Sequence, residues 1–177
     1  MMYQKNDYRM GRCGDLGVTA LEIPYRGGKT SMVVLLPDEL EGLSNVERHL
    51  TSAKLGNLLK DLHMTSDVML YLPKFKLEQT IDLNDTLKEL GIRDFFSSSA
   101  DLNGISAVGQ LVASKVIHKA FVEVNEEGTE AAAATGFRVI CYDLEPCTRF
   151  LVDRPFMFLI RSQDPDVVLF MGSVRQL

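Results

Sequence analysis

The chain has 177 residues, 46% of them hydrophobic and 24% charged, a composition that suits a globular fold with a buried core. Its net charge of −5, with no massed lysines or arginines, argues against a nucleic-acid or anionic-membrane surface and leaves proteins or small molecules as partners. No apolar run approaches the ~18 residues of a membrane-spanning helix, and MMYQKNDYRM lacks the layout of a secretory signal. Three cysteines are too few for a disulfide framework; Cys141 and Cys147 could close a small loop, but isolated thiols are the simpler reading.

In chain order, VTALEIPYRGGKTSMVVLL at 18–36 is two apolar runs around Arg26-Gly27-Gly28-Lys29, which predicts a β-hairpin closed by glycines and ended by Pro37-Asp38. From Ser44 the pattern becomes helical. Ser44 and Glu47 have capping-box spacing, and Val46, Leu50, Leu55, Leu58, Leu59 and Leu62 recur at roughly helical intervals, so one helix or two short ones are expected. VMLYLPKFKLEQTIDL returns to strand with a break at Pro73, and DLNDTLKELG is a short helix whose Gly91 suits its C-terminal cap. After the turn-rich FFSSSADLNGIS, residues 116–124 alternate as a strand, with His118, Ala120, Val122 and Val124 on one face. FMFLI and VVLFM, joined by RSQDPD, read as a second hairpin. With no repeat or linker, the expected class is α+β, rich in antiparallel strands, in one domain or part of one.

Enzymatic motifs are incomplete. Gly28-Lys29-Thr30 ends like a phosphate loop, but Ile23 stands where its first glycine belongs, and Gly104-Ile105-Ser106-Ala107-Val108 has valine where a nucleophile elbow needs glycine. His49, His63 and His118 lack metal-ligand spacing, so no metal or other cofactor is expected, and His49 and His63 read as solvated helix residues. Asp82, Asp85, Glu127 and Glu130 read as caps and solvated loop charges rather than a catalytic set.

What needs another explanation is EEGTEAAAATG at 126–136. Four alanines after a strand and a glycine are too few to hold a helix without packing. VNEEGTEAAAATG resembles the hinge of the serpins, the serine-protease inhibitor superfamily, and FLVDRPFMFLI at 150–160 resembles the signature that follows their reactive loop. Further matches run in order: LLPDE at 35–39, LPKFKLE at 72–78, LKELGI at 87–92, FSSSADLNGIS at 96–106, SKVIHKAFVEVNEEGTEA at 114–131 and LFMGSV at 169–174. MMYQKNDYRMG resembles an internal strand of that fold, so the chain is expected to be the C-terminal portion of a serpin domain with an exposed reactive-centre loop at about 126–149.

The resemblance implies a suicide-substrate inhibitor of serine proteases, not an enzyme. A protease cleaves the loop, the loop inserts as a strand into the main sheet, and the attached enzyme is distorted. The sequence meets the demand this makes on an entering strand: Thr129, Ala131, Ala133 and Thr135 share one parity and are all small, while Glu130 lies on the other. The implied hinge is Glu126, Glu127, Gly128, Thr129, Glu130, Ala131, Ala132, Ala133 and Ala134, with Gly128 as pivot. The family's usual spacing from Glu126 puts the scissile bond after Tyr142, before Asp143; counting back from the signature favours Leu144, before Glu145. Either residue implies a chymotrypsin-like or cathepsin G-like target with a large apolar primary pocket.

By the same resemblance Lys74 pairs with Glu126 at the top of the sheet, His118 belongs to a shutter network whose serine and asparagine partners lie in the other half, and Pro155 and Phe156 are core. The family also implies a secreted protein that is monomeric when full length, with the portion alone inactive. The alternatives are a non-inhibitory serpin, carrier or chaperone, and a truncated protein with an interaction role.

Overall fold

The computed structural model describes residues 1–105, 111–126 and 148–177. In chain order the elements are β1 (Met2–Cys13), β2 (Val18–Pro24), β3 (Thr30–Pro37), α1 (Leu43–His49), α2 (Ser52–Lys60), β4 (His63–Leu72), β5 (Phe75–Asp82), α3 (Asn84–Glu89), β6 (Ile117–Val124), β7 (Arg149–Leu151), β8 (Phe156–Gln163) and β9 (Asp166–Val174). They fall into two compact units, one of Met1–Phe75 with Val124–Leu177 and one of Lys76–Glu123.

The first unit holds a seven-stranded sheet of order β7-β4-β1-β2-β3-β8-β9, antiparallel at every junction except the parallel pairing of β4 with β7. The β2–β3 turn is the expected one. Gly27 and Gly28 both take positive φ, +88° and +66°, which side-chain-bearing residues adopt only with strain, and Tyr25 N–H donates to Thr30 O across the turn. One face of the central strands carries Val18, Ala20, Val33, Leu35, Met157 and Leu159, all buried beneath Leu43 and Val46 of α1 and Leu55 and Leu58 of α2. On the opposite face Leu21, Val34, Phe156 and Phe158 are equally buried, and the Phe75 ring packs against those of Phe156 and Phe158 at 5.6 and 5.5 Å. Both faces of β2, β3 and β8 are therefore covered, which is why these strands read as continuous apolar runs rather than alternating ones.

Two charged side chains, Glu22 and Arg161, are buried along this sheet. Glu22 is buried, and its carboxylate accepts from Ser31 Oγ at 2.6 Å and from Arg9 Nη1 at 3.0 Å, while Arg9 Nη2 donates to Leu62 O. A buried carboxylate is tolerated only with such partners.

Two helical expectations change. α1 begins at Leu43 with Gly42 as its N-cap and no side-chain cap, so the Ser44–Glu47 capping box does not form. Glu47 is engaged elsewhere: it accepts from Ser173 Oγ at 2.6 Å and from Arg175 Nη2 at 2.8 Å, tying α1 to the end of β9. A charged, long-range partner outcompetes a local cap. α2 is capped by Thr51, whose Oγ1 accepts from Lys54 N–H. His63 is exposed, as expected, but it opens β4 rather than lying in a helix; the helix stops at Lys60 and Leu62 turns into the core.

In the second unit, α3 ends in a Schellman motif: Gly91, at φ +98°, donates to Lys88 O, and Ile92 donates to Leu87 O. Asn84 ties the start of this helix to the segment before β6, its amide donating to Ser114 O and its carbonyl oxygen accepting from Val116 N–H. β5 and β6 form a two-stranded sheet.

Gly172 on β9 faces the buried Phe158 ring, and a Cβ there would sit 3.0 Å from two ring carbons. Gly172→Ala is expected to destabilise the chain by about 1–3 kcal/mol, because the buried ring, itself packed against Phe75, must shift to admit the added methyl. Urea unfolding followed by circular dichroism checks this; an unchanged midpoint would show that the ring has room to move.

Candidate functional site

The candidate site is the pair of anchors that bracket residues 127–147. On the upstream side, β6 alternates: Ala120, Val122 and Val124 are the more buried positions, while Ile117, Lys119, Phe121 and Glu123 are exposed. Val124 is buried, and two residues on the chain meets Lys74, which follows the Pro73 break between β4 and β5. Lys74 Nζ lies 2.5 Å from Glu126 Oε2. Both side chains are more than half exposed, so the pair is a clasp in contact with solvent rather than a buried ion pair. The Lys74 hydrogen bond is the main reason that the Glu126 carboxyl is held below its ordinary value of 4.5.

On the downstream side the chain re-enters the sheet at Thr148, whose carbonyl accepts from Met69 N–H at 2.8 Å. β7 then runs parallel to β4 with Met69 opposite Arg149 and Tyr71 opposite Leu151. Phe150 and Val152 are buried, and Val152 N–H donates to Tyr71 O. Arg154 Nη1 donates to Asp38 O at 2.7 Å and its Nε to Asp153, fixing the bend before β8. Phe156 is fully buried and Pro155 half-buried, so the FLVDRPF motif is an anchor of core residues rather than a contact surface.

Of the residues singled out in the sequence, Lys74 and Glu126 are brought together and His118 is exposed on β6. There β6 pairs with β5 in a two-stranded sheet. Glu127, Gly128, Thr129, Glu130 and Ala131 to Ala134 lie outside the described residues, as do both scissile candidates, Tyr142-Asp143 and Leu144-Glu145. So do Ser106, Thr135, Cys141 and Cys147. Arg149, expected as the last residue of the loop, opens β7. Among the described residues no group of three His, Cys, Asp or Glu side chains could hold a metal ion, and no helix is long and apolar enough to cross a membrane.

Strand order, clasp and anchor can be set beside known proteins. The family model described as serpin (serine protease inhibitor) matches residues 1–177. The chain belongs to the serpin family. It is 64% identical over 179 aligned residues to Iris of Ixodes ricinus, covering 100% of this chain and 48% of that protein. With the leukocyte elastase inhibitor of Sus scrofa it shares 47% identity, covering 98% of this chain and 47% of the inhibitor. Among solved structures, uncleaved ovalbumin superimposes with a TM-score of 0.82 at 33% identity, over 99% of this chain and 44% of ovalbumin. The architecture is thus a portion of the α+β serpin fold, and the chain spans about half the length of the curated relatives it matches.

A residue that the sequence reading passed over is Tyr71. Its backbone oxygen holds Val152 and its ring lies beneath Arg149, so one residue supports the downstream anchor twice. Its place in the LYLP alternation, between the buried Leu70 and Leu72, was the available signal.

Because the Glu126 pKa is depressed, the stabilisation that the clasp gives is complete above the ordinary carboxylate range and is lost as pH falls through the lowered value. Carbon-13 titration of Glu126 should therefore give a midpoint below 4.5 that rises in Lys74→Met. Identical midpoints in the two proteins would mean that the pair does not persist in solution.

Proposed function

We propose that this chain supplies the C-terminal half of a serpin that traps a serine protease as a suicide substrate. The observation that carries this reading is the parity of 129–135, small at every inward position and charged only at the outward Glu130, in the stretch that starts just after the clasped Glu126. The names of relatives such as leukocyte elastase inhibitor agree with it.

The chemistry belongs to the protease. Its serine hydroxyl attacks the carbonyl of Tyr142 or Leu144, the peptide nitrogen of Asp143 or Glu145 leaves as an amine, and an ester joins serpin to enzyme. Water would hydrolyse that ester in an ordinary substrate. Here the new C-terminal arm, pivoting at Gly128, enters the sheet beside β6 and carries the enzyme with it before hydrolysis. Cleavage releases conformational free energy stored by a chain held outside its preferred sheet. The large apolar residue at either candidate position suits a chymotrypsin-like primary pocket.

The full-length protein incubated with chymotrypsin should give a complex that survives denaturing gel electrophoresis. Thr135→Arg, which would force an unpaired charge into the sheet at a cost of several kcal/mol, should reduce that complex at least tenfold while cleavage continues. Glu130→Ala, on the outward parity, should leave it within twofold. If wild-type protein is merely cleaved, or if the two variants behave alike, the insertion mechanism is wrong.

A further inference from the structure

The sequence holds one Asn-x-Ser/Thr triplet, Asn84-Asp85-Thr86, the acceptor pattern for N-linked glycosylation. It lies at the start of α3, with Asp85 and Thr86 exposed and Asn84 half-buried. The triplet is therefore open to solvent, but its asparagine is already committed. Asn84 Nδ2 donates to Ser114 O at 2.9 Å, and its Oδ1 accepts from Val116 N–H at 2.8 Å. Around this pair, Leu83 N–H donates to Val116 O at 2.9 Å, Asn84 N–H donates to Asp82 Oδ1 at 3.0 Å, and Lys115 Nζ lies 3.4 Å from Asp82 Oδ2. Together these contacts close the junction between α3 and the segment that leads into β6.

The stereochemistry of the amide decides what a glycan does here. Ser114 O and Val116 N–H flank a single residue, Lys115, so one planar side-chain amide meets both only along the edge that carries Oδ1 and the Nδ2 hydrogen cis to it. Glycosylation turns that amide into a secondary one. A secondary amide sets its nitrogen substituent on the same side as the oxygen, as a trans peptide sets the next Cα. The sugar carbon therefore takes the place of the hydrogen that Ser114 O accepts. Turning the amide over to spare that hydrogen gives the cis form, which non-proline amides almost never adopt.

We propose that Asn84 is an N-glycan acceptor gated by folding: a chain that closes the α3–β6 junction withholds the site, and a chain modified first cannot make the bond to Ser114. In the transfer, Asn84 Nδ2 bonds to the anomeric carbon of an oligosaccharide and the bond from that carbon to its polyprenyl diphosphate carrier breaks. The diphosphate leaves with the bonding electrons, and the displaced Nδ2 proton passes to a base of the transferase. Nothing is oxidised or reduced. The segment set loose, 114–116, leads directly into β6, so a glycan on Asn84 is felt in that strand.

The test uses full-length protein carrying a cleavable secretion signal and a second acceptor triplet in a flexible C-terminal tag, expressed in insect cells. Glycan on the tag reports that the chain met the transferase. Occupancy at both asparagines is read by mass spectrometry after enzymatic deglycosylation in oxygen-18 water. Secreted wild type should carry at least tenfold less glycan at Asn84 than at the tag. Val116→Pro removes the N–H that Oδ1 accepts and should raise Asn84 occupancy at least threefold, whereas Gly172→Ala, which strains the other unit, should leave it within twofold. If Val116→Pro is retained in the cell, the retained pools of all three proteins are compared instead. Asn84 occupied as fully as the tag in secreted wild type, or equal occupancy in Val116→Pro and Gly172→Ala, would overturn the proposal.

Discussion

A chain that must enter a sheet between existing strands can carry neither bulk nor charge on the side it buries. Under the proposed mechanism that constraint falls on the segment after β6, and the structure on either side supplies its two ends. Upstream, Val124 is buried and Glu126 is clasped by Lys74. Downstream, Thr148 bonds to β4 and Phe150 and Val152 lock β7 into the core. In the proposed mechanism the small residues at 129–135 serve insertion only if both ends of the segment are held.

The strength of the two ends differs, and the difference suits the proposed mechanism. The downstream anchor combines backbone bonds to β4, two buried apolar side chains and the Arg154 bond to Asp38, so it resists displacement. The upstream clasp is one solvent-exposed ion pair, a contact of low energy that can open without disturbing the core. In the proposed mechanism, movement is therefore directed to the Glu126 side. The seven-stranded sheet is buried on both faces along β2, β3 and β8.

Local chemistry was legible in the sequence and long-range pairing was not. The Gly27-Gly28 turn, the strand break at Pro73, the Gly91 cap and the β8–β9 hairpin each depend on backbone preferences of a few neighbouring residues, and each lies where the pattern put it. The Ser44–Glu47 capping box failed because Glu47 found Ser173 and Arg175, partners more than a hundred residues away whose proximity no local pattern encodes. His63 was misplaced because helical leucine spacing continued into Leu62, which packs with the same core from beyond the helix end. The parallel β4–β7 pairing, and with it the Arg149–Tyr71 stack, joins segments that share no sequence signal. Lys74 was reached through family resemblance alone: nothing in LPKFKLE says that its lysine meets a glutamate fifty-two positions on.

The central claim is that 129–135 is a strand in waiting. Hydrogen exchange of the full-length protein before and after cleavage between 142 and 145 tests it most directly, read by mass spectrometry on peptides spanning 117–135. After cleavage the amides of 129–135 should become protected to the level of β6, because each would then be bonded within the sheet. If they exchange as fast after cleavage as an unstructured peptide, the segment does not insert and the account of this protein as a trapping inhibitor is contradicted.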